Sequence, residues 1–410
     1  MTSGSVTRSA REATQSESTV LALNSGSSSL KFGVYRVGPS RIETLLSGEA
    51  ASIGDSKSTF RARDRHHDEL ISETFPIASQ REAVVRIGRL LADSGLPTPA
   101  AIGHRIVHGG PKLREHCLID DTVLHRLEAA GMFAPLHTAS ALAVIRFAQE
   151  HFPSLPQTAC FDTAFHSGLP DVTRVLPIPR ELRSEGIQRY GFHGLSLESI
   201  VHQLADDLPE RLVVAHLGNG ASVTAVKRGK SIDTSMGLTP AGGLIMGTRS
   251  GDLDPGVLVY LMRQKKFDAD KVEDLVNRRS GLLGISGVGS DMRQLHEASA
   301  SIADARLAID MFCYEVRKQI AGMIAALDGV DRVVFTGGIG ENDAIVRASI
   351  CDGLAWIGVS LDQDRNRSAS NPLNDAASRC TVQVLASQED EQIARHTLAL
   401  VSRGPLAELH

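Results

Sequence analysis

Four short glycine-bearing segments carry the residue types best suited to bind phosphate. Each is predicted to be a turn that follows a run of apolar, strand-forming residues. Tight turns leave backbone N–H groups free, and glycine lets a phosphate approach them closely. None of the segments ends in Gly-Lys-Ser/Thr, and none has the GxGxxG spacing that opens a nucleotide-binding helix. The pattern predicts a polyphosphate site of another design, built from residues 20–32, 213–223, 281–293 and 333–342.

The first of these segments, NSGSSSLK, ends in a lysine. Lys31 follows Gly26 by five residues, with three serines between them. Serine hydroxyls and turn amides can surround a phosphoryl group while an ammonium neutralises its charge. A serine-rich hairpin with a solvent-facing lysine explains the same residues, so this segment alone does not decide between the two interpretations.

Polar residues near strand ends are the next candidates. Arg105, in a predicted strand, can clamp a carboxylate or a phosphate. Asp162 follows an apolar strand, where it is either a catalytic or metal-associated carboxylate or a helix N-cap. His193 lies in a turn of aromatic residues and glycines that is expected to leave it exposed, although a structural histidine fits the same pattern.

The densest polar cluster in the sequence surrounds Arg249. Asp252 and Asp254 follow within six residues, with glycines on both sides. An arginine in such a turn can stabilise the oxygens of a transferring phosphoryl group, whereas a solvated loop held by Arg–Asp pairs is the alternative. Glu389 precedes the last predicted helix and is either a magnesium ligand or an acidic residue favoured by the helix dipole.

Bulk composition limits the classes of protein that fit. A chain of 410 residues predicts two domains, and a net charge of −5 argues against nucleic-acid or anionic-membrane partners. The cysteines form no CxxC pair, which argues against zinc and disulfides and favours a reduced, cytoplasmic setting. Residues 1–18 are predicted to be a disordered tail, and no apolar run approaches the ~18 residues that span a membrane.

The pattern of apolar residues predicts helices alternating with strands. Helices are expected at 81–94, 139–151, 197–208 and 392–401, with a pair of helices over 302–327. Strands are expected at 101–107, 158–161 and 381–385. Asn24, Gly26 and Ser28 match Gly218, Gly220 and Ser222 at a constant offset of 194 residues, which suggests a duplicated α/β unit.

Eight motifs, taken in order, resemble those of the acetate kinase family. They are NSGSSSLKF, HRIVHGG, FDTAFH, RYGFHG, HLGNGASV, DTSMGLTPAGGLIMGTRSGDLDP, SGLLGISGVGSDMR and FTGGIGEN. The resemblance covers nearly the whole chain, from about Val20 to Ala394. Eight collinear matches are not expected by chance.

The resemblance implies an α/β fold of two duplicated ribonuclease H-like domains, as in actin-like ATPases, with mixed sheets and flanking helices. An acetate-side domain would span residues 19–162 and be completed by a C-terminal helix at 390–410, while residues 163–389 would form the nucleotide-binding domain. The resemblance also implies a homodimer that uses Mg²⁺, with Mn²⁺ as the alternative ion, and that binds acetate, acetyl phosphate and ATP or ADP.

The resemblance further implies roles for individual residues. The implied catalytic residues are Asp162, His193, Arg249 and His137, and the implied metal-associated residues are Asn24 and Glu389. The implied acetate-binding residues are Arg105, Val107, Leu136, Phe192 and Pro240. The implied nucleotide-binding residues are Lys31, His216, Leu217, Gly218, Asn219, Gly220, Asp291, Met292, Arg293, Gly338, Ile339, Gly340, Glu341 and Asn342.

The expected reaction is direct phosphoryl transfer from ATP to acetate. Acetate is ionised near pH 7, since carboxyl pKa values are about 4, so it needs no general base. We therefore expect Asp162 to organise magnesium or Arg249. Thr138 and Ala139 replace the family's usual Asn-Pro after His137, which leaves a propionate or butyrate kinase open as an alternative. A non-catalytic nucleotide-binding regulator is disfavoured, because Arg105, His193 and Arg249 occur together.

Overall fold

The computed structural model describes residues 17–26, 28–39 and 41–403, except for the side chains of Pro135 and Leu136. Most of the predicted tail at 1–18 and the last seven residues of the predicted C-terminal helix therefore lie outside the described residues. Ser18, at the end of the predicted tail, already begins the first strand.

An eight-stranded sheet occupies the first part of the chain. Its strands are β1 (Ser18–Ser25), β2 (Leu30–Val37), β3 (Ile42–Ala51), β4 (Thr59–Asp64), β5 (Glu69–Thr74), β6 (Ala101–Ile106), β7 (Cys117–Leu118) and β8 (Gln157–Phe161). They are ordered β5-β4-β3-β2-β1-β6-β8-β7. Strands β1, β6 and β8 are parallel, and the other neighbouring pairs are antiparallel.

A second sheet repeats the central part of the first. It contains β9 (Arg211–Leu217), β10 (Ala221–Lys227), β11 (Lys230–Thr234), β12 (Arg332–Thr336) and β13 (Thr381–Val384), in the order β11-β10-β9-β12-β13. This order has the same directions as β3-β2-β1-β6-β8, with a hairpin pair followed by parallel strands. The repeated topology confirms the predicted fold of two mixed α/β units.

The two equivalent hairpins differ in the length of their turns. The turn between β1 and β2 spans residues 26–29, and the one between β9 and β10 spans only 218–220. The constant offset of 194 therefore does not match the two hairpins residue by residue, since Asn24 lies within β1 whereas Gly218 lies in the turn after β9. Ser28 lies in a turn, whereas Ser222 is already in β10, opposite His216.

Helices cover both sheets and connect their strands. They are α1 (Gln80–Asp93), α2 (Asp121–Ala130), α3 (Pro135–His151), α4 (Asp171–Arg174), α5 (Arg180–Ser184), α6 (Gly194–Gln203), α7 (Pro255–Gln264), α8 (Ala269–Arg278), α9 (Gly281–Ser286), α10 (Met292–Ala298), α11 (Ala303–Ala326), α12 (Gly337–Asn342), α13 (Ala344–Asp352), α14 (Gln363–Ser368) and α15 (Glu389–Arg403).

Two predictions about local structure were wrong. The predicted pair of helices over 302–327 is the single helix α11. The glycine segment at 281–293 is not a turn after a strand, because it forms α9 and the start of α10. Its glycines serve helix ends: Gly287 has φ 68° directly after α9, and Asp291 caps α10 by accepting from the N–H of Arg293.

Each sheet is buried between helices. The first sheet packs against α1 and α3 on one face and against α15 on the other. The approach of α15 is close, since a Cβ at Gly103 in β6 would lie 2.2 Å from Thr397 Oγ1. The second sheet packs against α11 on one face and α6 on the other. The C-terminal helix thus returns to the first sheet, while the predicted domain boundaries stay a prediction.

Because three histidines are fully buried, we expect the folded protein to lose stability as the pH falls. Burial lowers the pKa of His104, His108 and His166 to about 4 in each case. Unfolding returns each to an ordinary pKa near 6.5, so the unfolded state binds more protons below that pH. We expect the free energy of unfolding in urea to fall by about 2 kcal/mol per histidine between pH 7.5 and pH 5.

The pH dependence has a matched control. His104→Gln should reduce it by about 2 kcal/mol, the contribution of one histidine, whereas His125→Gln should leave it unchanged, because His125 is exposed. A free energy of unfolding that stays constant between pH 7.5 and pH 5 would contradict the prediction.

Candidate active site

Two adjoining cavities lie where the turns after β1 and β9 meet. The larger one, about 760 Å³ and here called the wide cavity, is lined by residues that include His137, Asn219, Gly220, Pro240 and Arg249. The smaller one, about 430 Å³ and here called the acidic cavity, is lined by residues that include Asn24, Lys31, His216, Gly218, Asn219, Gly338, Glu341, Glu389, Asp390 and Glu391. Asn219 lines both cavities, so they meet at the β9–β10 turn.

Arg105 and Asp162 form a buried ion pair at the ends of two neighbouring parallel strands. Arg105 Nη2 lies 2.7 Å from Asp162 Oδ2, and Nε donates to both carboxylate oxygens at 3.1 Å. Asp162 is only 1% exposed. Burial raises the pKa of Asp162, and the Arg105 guanidinium opposes that rise. The Asp162 side chain therefore does not act as a helix N-cap, and its partner is Arg105 instead of Arg249.

The same guanidinium connects to the acidic cavity through Asn24. Arg105 Nη1 donates to Asn24 Oδ1 at 3.1 Å. Asn24 Nδ2 in turn donates to Asp390 Oδ1 at 2.9 Å, with Glu389 Oε2 at 3.4 Å. Glu389 and Asp390 are the first residues of α15, and they meet the end of β1 because α15 packs across the first sheet. This network joins segments that are more than 360 residues apart in sequence.

Negative charge predominates in the acidic cavity. Its lining includes the carboxyl groups of Glu341, Glu389, Asp390 and Glu391, whereas Lys31 is its only lysine or arginine within the described residues. Burial raises the pKa of Asp390. The pKa of Glu389 is lowered despite its burial, chiefly by Arg105. A cation would be bound favourably between these carboxylates.

Arg249 lies in the wide cavity without a carboxylate partner among the described residues. Its Nη2 lies 3.4 Å from His137 Nε2, and its Nη1 lies 3.9 Å from Met246 Sδ. Asp252 and Asp254 accept backbone N–H groups instead of pairing with it. Burial lowers the pKa of His137 to about 4, with help from Arg249 and Arg105, so His137 is neutral at pH 7.

His193 and His216 stack against each other between the two cavities. Their ring centroids are 4.1 Å apart with an interplanar angle of 22°. His193 Nδ1 lies 2.9 Å from Ser222 Oγ, and His216 Nδ1 lies 2.8 Å from Ser196 Oγ. Burial lowers the pKa of His193 well below its ordinary value, as do His216 and the two nearby arginines. His193 is 9% exposed, so the expectation that its turn leaves it exposed was wrong.

Glycines in the β9–β10 turn and at the start of α12 allow close approach to the backbone beside the two cavities. A Cβ at Gly220 would lie 3.1 Å from His193 Nε2 and 3.5 Å from Arg249 Nη1, so this glycine allows both side chains to approach one turn. Gly337, which begins α12 with φ 77°, lies too close to Leu217 O for any side chain. Gly338 faces open space in the acidic cavity. These positions favour a ligand that contacts backbone N–H groups directly.

Several predicted site residues lie outside both cavities. Val107, Phe192, Leu217 and Met292 are buried in the apolar core, and Ile339 packs against it. Gly340 is also buried, and Asn342 Nδ2 donates to Gly338 O at 2.9 Å. Asp291 and Arg293 form an exposed ion pair at the start of α10. The side chain of Leu136 lies outside the described residues.

The sequence did not identify Asp390, Ser196 or Ser222 as site residues. Asp390 follows Glu389 at a helix start, where an acidic residue is ordinarily explained by the helix dipole. The two serines support histidine rings from other segments, and no local pattern marks such a role. A signal was present only for Asp390, since three consecutive acidic residues begin α15.

Comparison with known proteins identifies the family. A model of the Acetokinase family matches residues 19–395. An acetate kinase of Nitrobacter hamburgensis is 43% identical over 390 residues, which cover 93% of this chain and 96% of that protein. An acetate kinase of Syntrophobacter fumaroxidans is 42% identical over 410 residues, with 95% and 98% covered.

Solved structures agree with this result. A propionate kinase from Francisella tularensis superposes with a TM-score of 0.88 at 38% identity, covering 93% of this chain and all of that chain. Porphyromonas gingivalis acetate kinase superposes with a TM-score of 0.83 at 34% identity, covering 94% and 100%.

Fold and comparisons define an ATP-dependent phosphotransferase whose acceptor is a carboxyl group. The chain belongs to the acetokinase family, which confirms the resemblance of its motifs to those of acetate kinases. Among the described residues, none of the helices combines the length and the apolar character needed to span a bilayer.

Proposed function

We propose that the cleft transfers the γ-phosphoryl group of ATP to acetate, reversibly, giving acetyl phosphate and ADP. The observation that best supports this reaction is the proximity of two arginines, Arg105 and Arg249, to the same neutral histidine, His137. Burial lowers the pKa of Arg249, the nearby charge of Arg105 lowers it further, and Arg249 has no carboxylate partner within the described chain. Two positive charges this close favour anions between them, as a carboxylate and a phosphoryl group would be.

Acetate is the nucleophile in this mechanism and needs no base. Its carboxylate is ionised at neutral pH, so it attacks the γ-phosphorus directly. Catalysis then consists of positioning and charge neutralisation. Asp162 orients Arg105, because its three contacts with the guanidinium hold that group in one orientation. We therefore assign Asp162 to positioning and not to proton transfer.

The two arginines have separate tasks. Arg105 binds the acetate carboxylate, while Arg249 neutralises charge on the oxygens of the transferring phosphoryl group. Neutral His137 and His193 donate hydrogen bonds to the same oxygens without adding to the positive charge. The low pKa values of these histidines keep them neutral beside two arginines. Val107, Leu136, Phe192 and Pro240 would surround the methyl group.

The nucleotide lies along the second half of the chain. The phosphates would contact Lys31 and the backbone of the glycine turns, and the remaining contacts would come from the segments around α10 and α12. The proposed set is His216, Leu217, Gly218, Asn219, Gly220, Asp291, Met292, Arg293, Gly338, Ile339, Gly340, Glu341 and Asn342. The residues of α10 would bind the adenosine from outside the two cavities.

The acidic cavity fits a magnesium ion. Mg²⁺ prefers carboxylate, amide and water oxygens, and Glu389 and Asp390 supply carboxylate oxygens at one place, beside the side-chain amide of Asn24. We propose that these residues hold Mg²⁺, with Mn²⁺ as a substitute, directly or through water. The ion would neutralise charge on the nucleotide phosphates.

Acyl phosphate trapping tests the proposed function. The protein is incubated with ATP, Mg²⁺ and acetate, and acetyl phosphate is trapped as its hydroxamate. Acetate-dependent product is expected from the wild type, and very little from Arg249→Ala. Absence of product at high enzyme concentration, with bound ATP demonstrated, would contradict the proposal.

The preference of the pocket for acetate or propionate also needs a test, because a propionate kinase is among the structural relatives. Val107 is 9% exposed and packs in the same apolar core as Phe192. We expect Val107→Ala to raise the propionate-to-acetate ratio of kcat/KM by about tenfold, since one methylene in an apolar pocket is worth about 1–3 kcal/mol. An unchanged ratio would place the pocket elsewhere, beginning with Pro240, which lines the wide cavity.

We also infer a homodimer in a reducing, cytoplasmic compartment. All five cysteines are free, and four of them are buried. Disulfides are rare in such a compartment, so this pattern is consistent with it. Size-exclusion chromatography with light scattering would test the dimer.

A further inference from the structure

Three titratable side chains meet outside both cavities and have no part in the proposed chemistry. Glu198 lies on α6, His116 lies just before β7, and His396 lies on α15. One polar atom from each residue lies within 4.8 Å of the others. We refer to these three residues as the Glu198 cluster.

The geometry favours a hydrogen-bonded cluster over a metal site. The backbone N–H of Phe161 donates to His116 Nδ1 at 3.0 Å, so this nitrogen carries a lone pair. The proton of the neutral ring is then on Nε2, which donates to Glu198 Oε1 at 3.2 Å. A metal at Nε2 would have to displace that proton. The ring centroids of His116 and His396 are also only 3.9 Å apart, which is too close for two rings spread around one ion.

Glu198 is the acceptor that the two histidines share. His396 Nε2 lies 2.7 Å from Glu198 Oε2. Burial raises the pKa of Glu198, but the hydrogen bonds from His116 and His396 lower it to about 2. The carboxylate is therefore ionised at neutral pH, and its hydrogen bonds are charge-assisted.

The cluster joins the packing of one sheet to that of the other. Helix α6, which carries Glu198, packs on the second sheet through Leu197 and Ile200. His116 binds the end of β8 in the first sheet. His396 lies on α15, which packs on the same sheet through Ile393. The Glu198 carboxylate thus connects elements of the two halves through the side chains of His116 and His396.

Each connected element also carries proposed active-site groups. Phe161, which binds His116, directly precedes Asp162, and His193 directly precedes α6. Glu389 lies seven residues before His396, which is about two helical turns and places both on the same side of α15.

We propose that Glu198 is a positioning residue for the proposed magnesium site. By binding His116 and His396, it holds the first turn of α15, with Glu389 and Asp390, against α6 and β8. This inference rests on the proposed function in so far as it concerns magnesium. Two contacts of α6 would survive the loss of Glu198: Ser199 Oγ accepts from Gln388 N at 3.1 Å, and Ser196 Oγ lies 3.0 Å from Ser387 Oγ. The expected effect is therefore a weakened site and not a lost one.

Glu198→Gln tests the proposal because it keeps the side-chain size and removes the charge. We expect the half-saturating Mg²⁺ concentration to rise by about tenfold or more, the range seen when supporting residues of metal ligands are changed. At saturating Mg²⁺, kcat should return to within about twofold of the wild type. General destabilisation would not be reversed in this way. Glu210→Gln is the matched control, because Glu210 pairs on the surface with Arg228, outside the Glu198 cluster.

Amide hydrogen exchange supplies a readout that does not depend on magnesium. Glu198→Gln should accelerate exchange in the first two turns of α15 and leave α11 unchanged. If the activity of the wild type does not depend on divalent ions, Glu198 has no role in magnesium binding. Faster exchange at α15 in Glu198→Gln would then still support its role in positioning α15. Unchanged exchange at α15 would overturn the proposal. Stoichiometric zinc in the purified protein, lost in His396→Asn, would also overturn it in favour of a metal site.

Discussion

Replacing Arg249 with alanine should lower kcat by about a thousandfold, in the range found when one group that stabilises transition-state charge is removed. The KM for acetate should change far less. Charge spreads onto the equatorial oxygens mainly in the transition state, so a cation directed at them contributes little to acetate binding. Steady-state kinetics with acetate varied at saturating ATP and Mg²⁺ measures both constants.

Two further variants sharpen this test. Arg249→Lys keeps the charge but loses the planar donors, so it should recover only part of kcat. Arg278→Ala is the matched control, because Arg278 also lines the wide cavity but has no part in the hydrogen bond between Arg249 and His137. A near-normal kcat with a raised acetate KM in Arg249→Ala would contradict the assignment and would instead make Arg249 the acetate-binding residue.

Replacing Arg105 with alanine should affect both acetate binding and stability. The KM for acetate should rise roughly 10- to 150-fold, because hydrogen bonds to a charged group contribute about 1.5–3 kcal/mol. The free energy of unfolding should fall by about 3–5 kcal/mol, because the buried Asp162 carboxylate loses its partner. Acetate titration and urea denaturation measure the two effects separately.

The double variant Arg105→Ala with Asp162→Ala separates the two roles of Arg105. Removing both charges should restore part of the stability without restoring acetate binding. Arg211→Ala is the control for ion-pair loss at the surface, since Arg211 and Asp331 are each about one-third exposed and their pair should contribute little to stability. Full recovery of acetate affinity in the double variant would show that Arg105 acts only as the partner of Asp162.

The fold was largely predictable because its signals are local or repeated. The β1–β2 and β9–β10 hairpins each combine apolar strands with a glycine turn, and the same order of elements follows both. The segment at 281–293 was predicted wrongly because its glycines suggested turns. In the structure Gly281 begins α9 and Gly287 follows its last residue in a left-handed conformation, and glycine is common at such a helix end.

The individual contacts of the site were less predictable. Arg105 and Asp162 are 57 residues apart, and only the pairing of β6 with β8 brings them together. Asp390 reaches Asn24 because α15 returns to the first sheet, which residue spacing cannot reveal. His193, which directly precedes α6, is covered by His216 of β9, which stacks on it. Such contacts depend on tertiary packing, whereas motifs record only which residue types occur near one another in sequence.

The proposed reaction is a direct attack of the acetate carboxylate on the γ-phosphorus of ATP. The most direct test uses ATP whose γ-phosphoryl group is made chiral with oxygen isotopes, followed by determination of the configuration at phosphorus in the acetyl phosphate formed. A single in-line transfer inverts that configuration, and inversion is the predicted result. Retention would contradict the account, because it requires two successive transfers through a phosphorylated group of the protein.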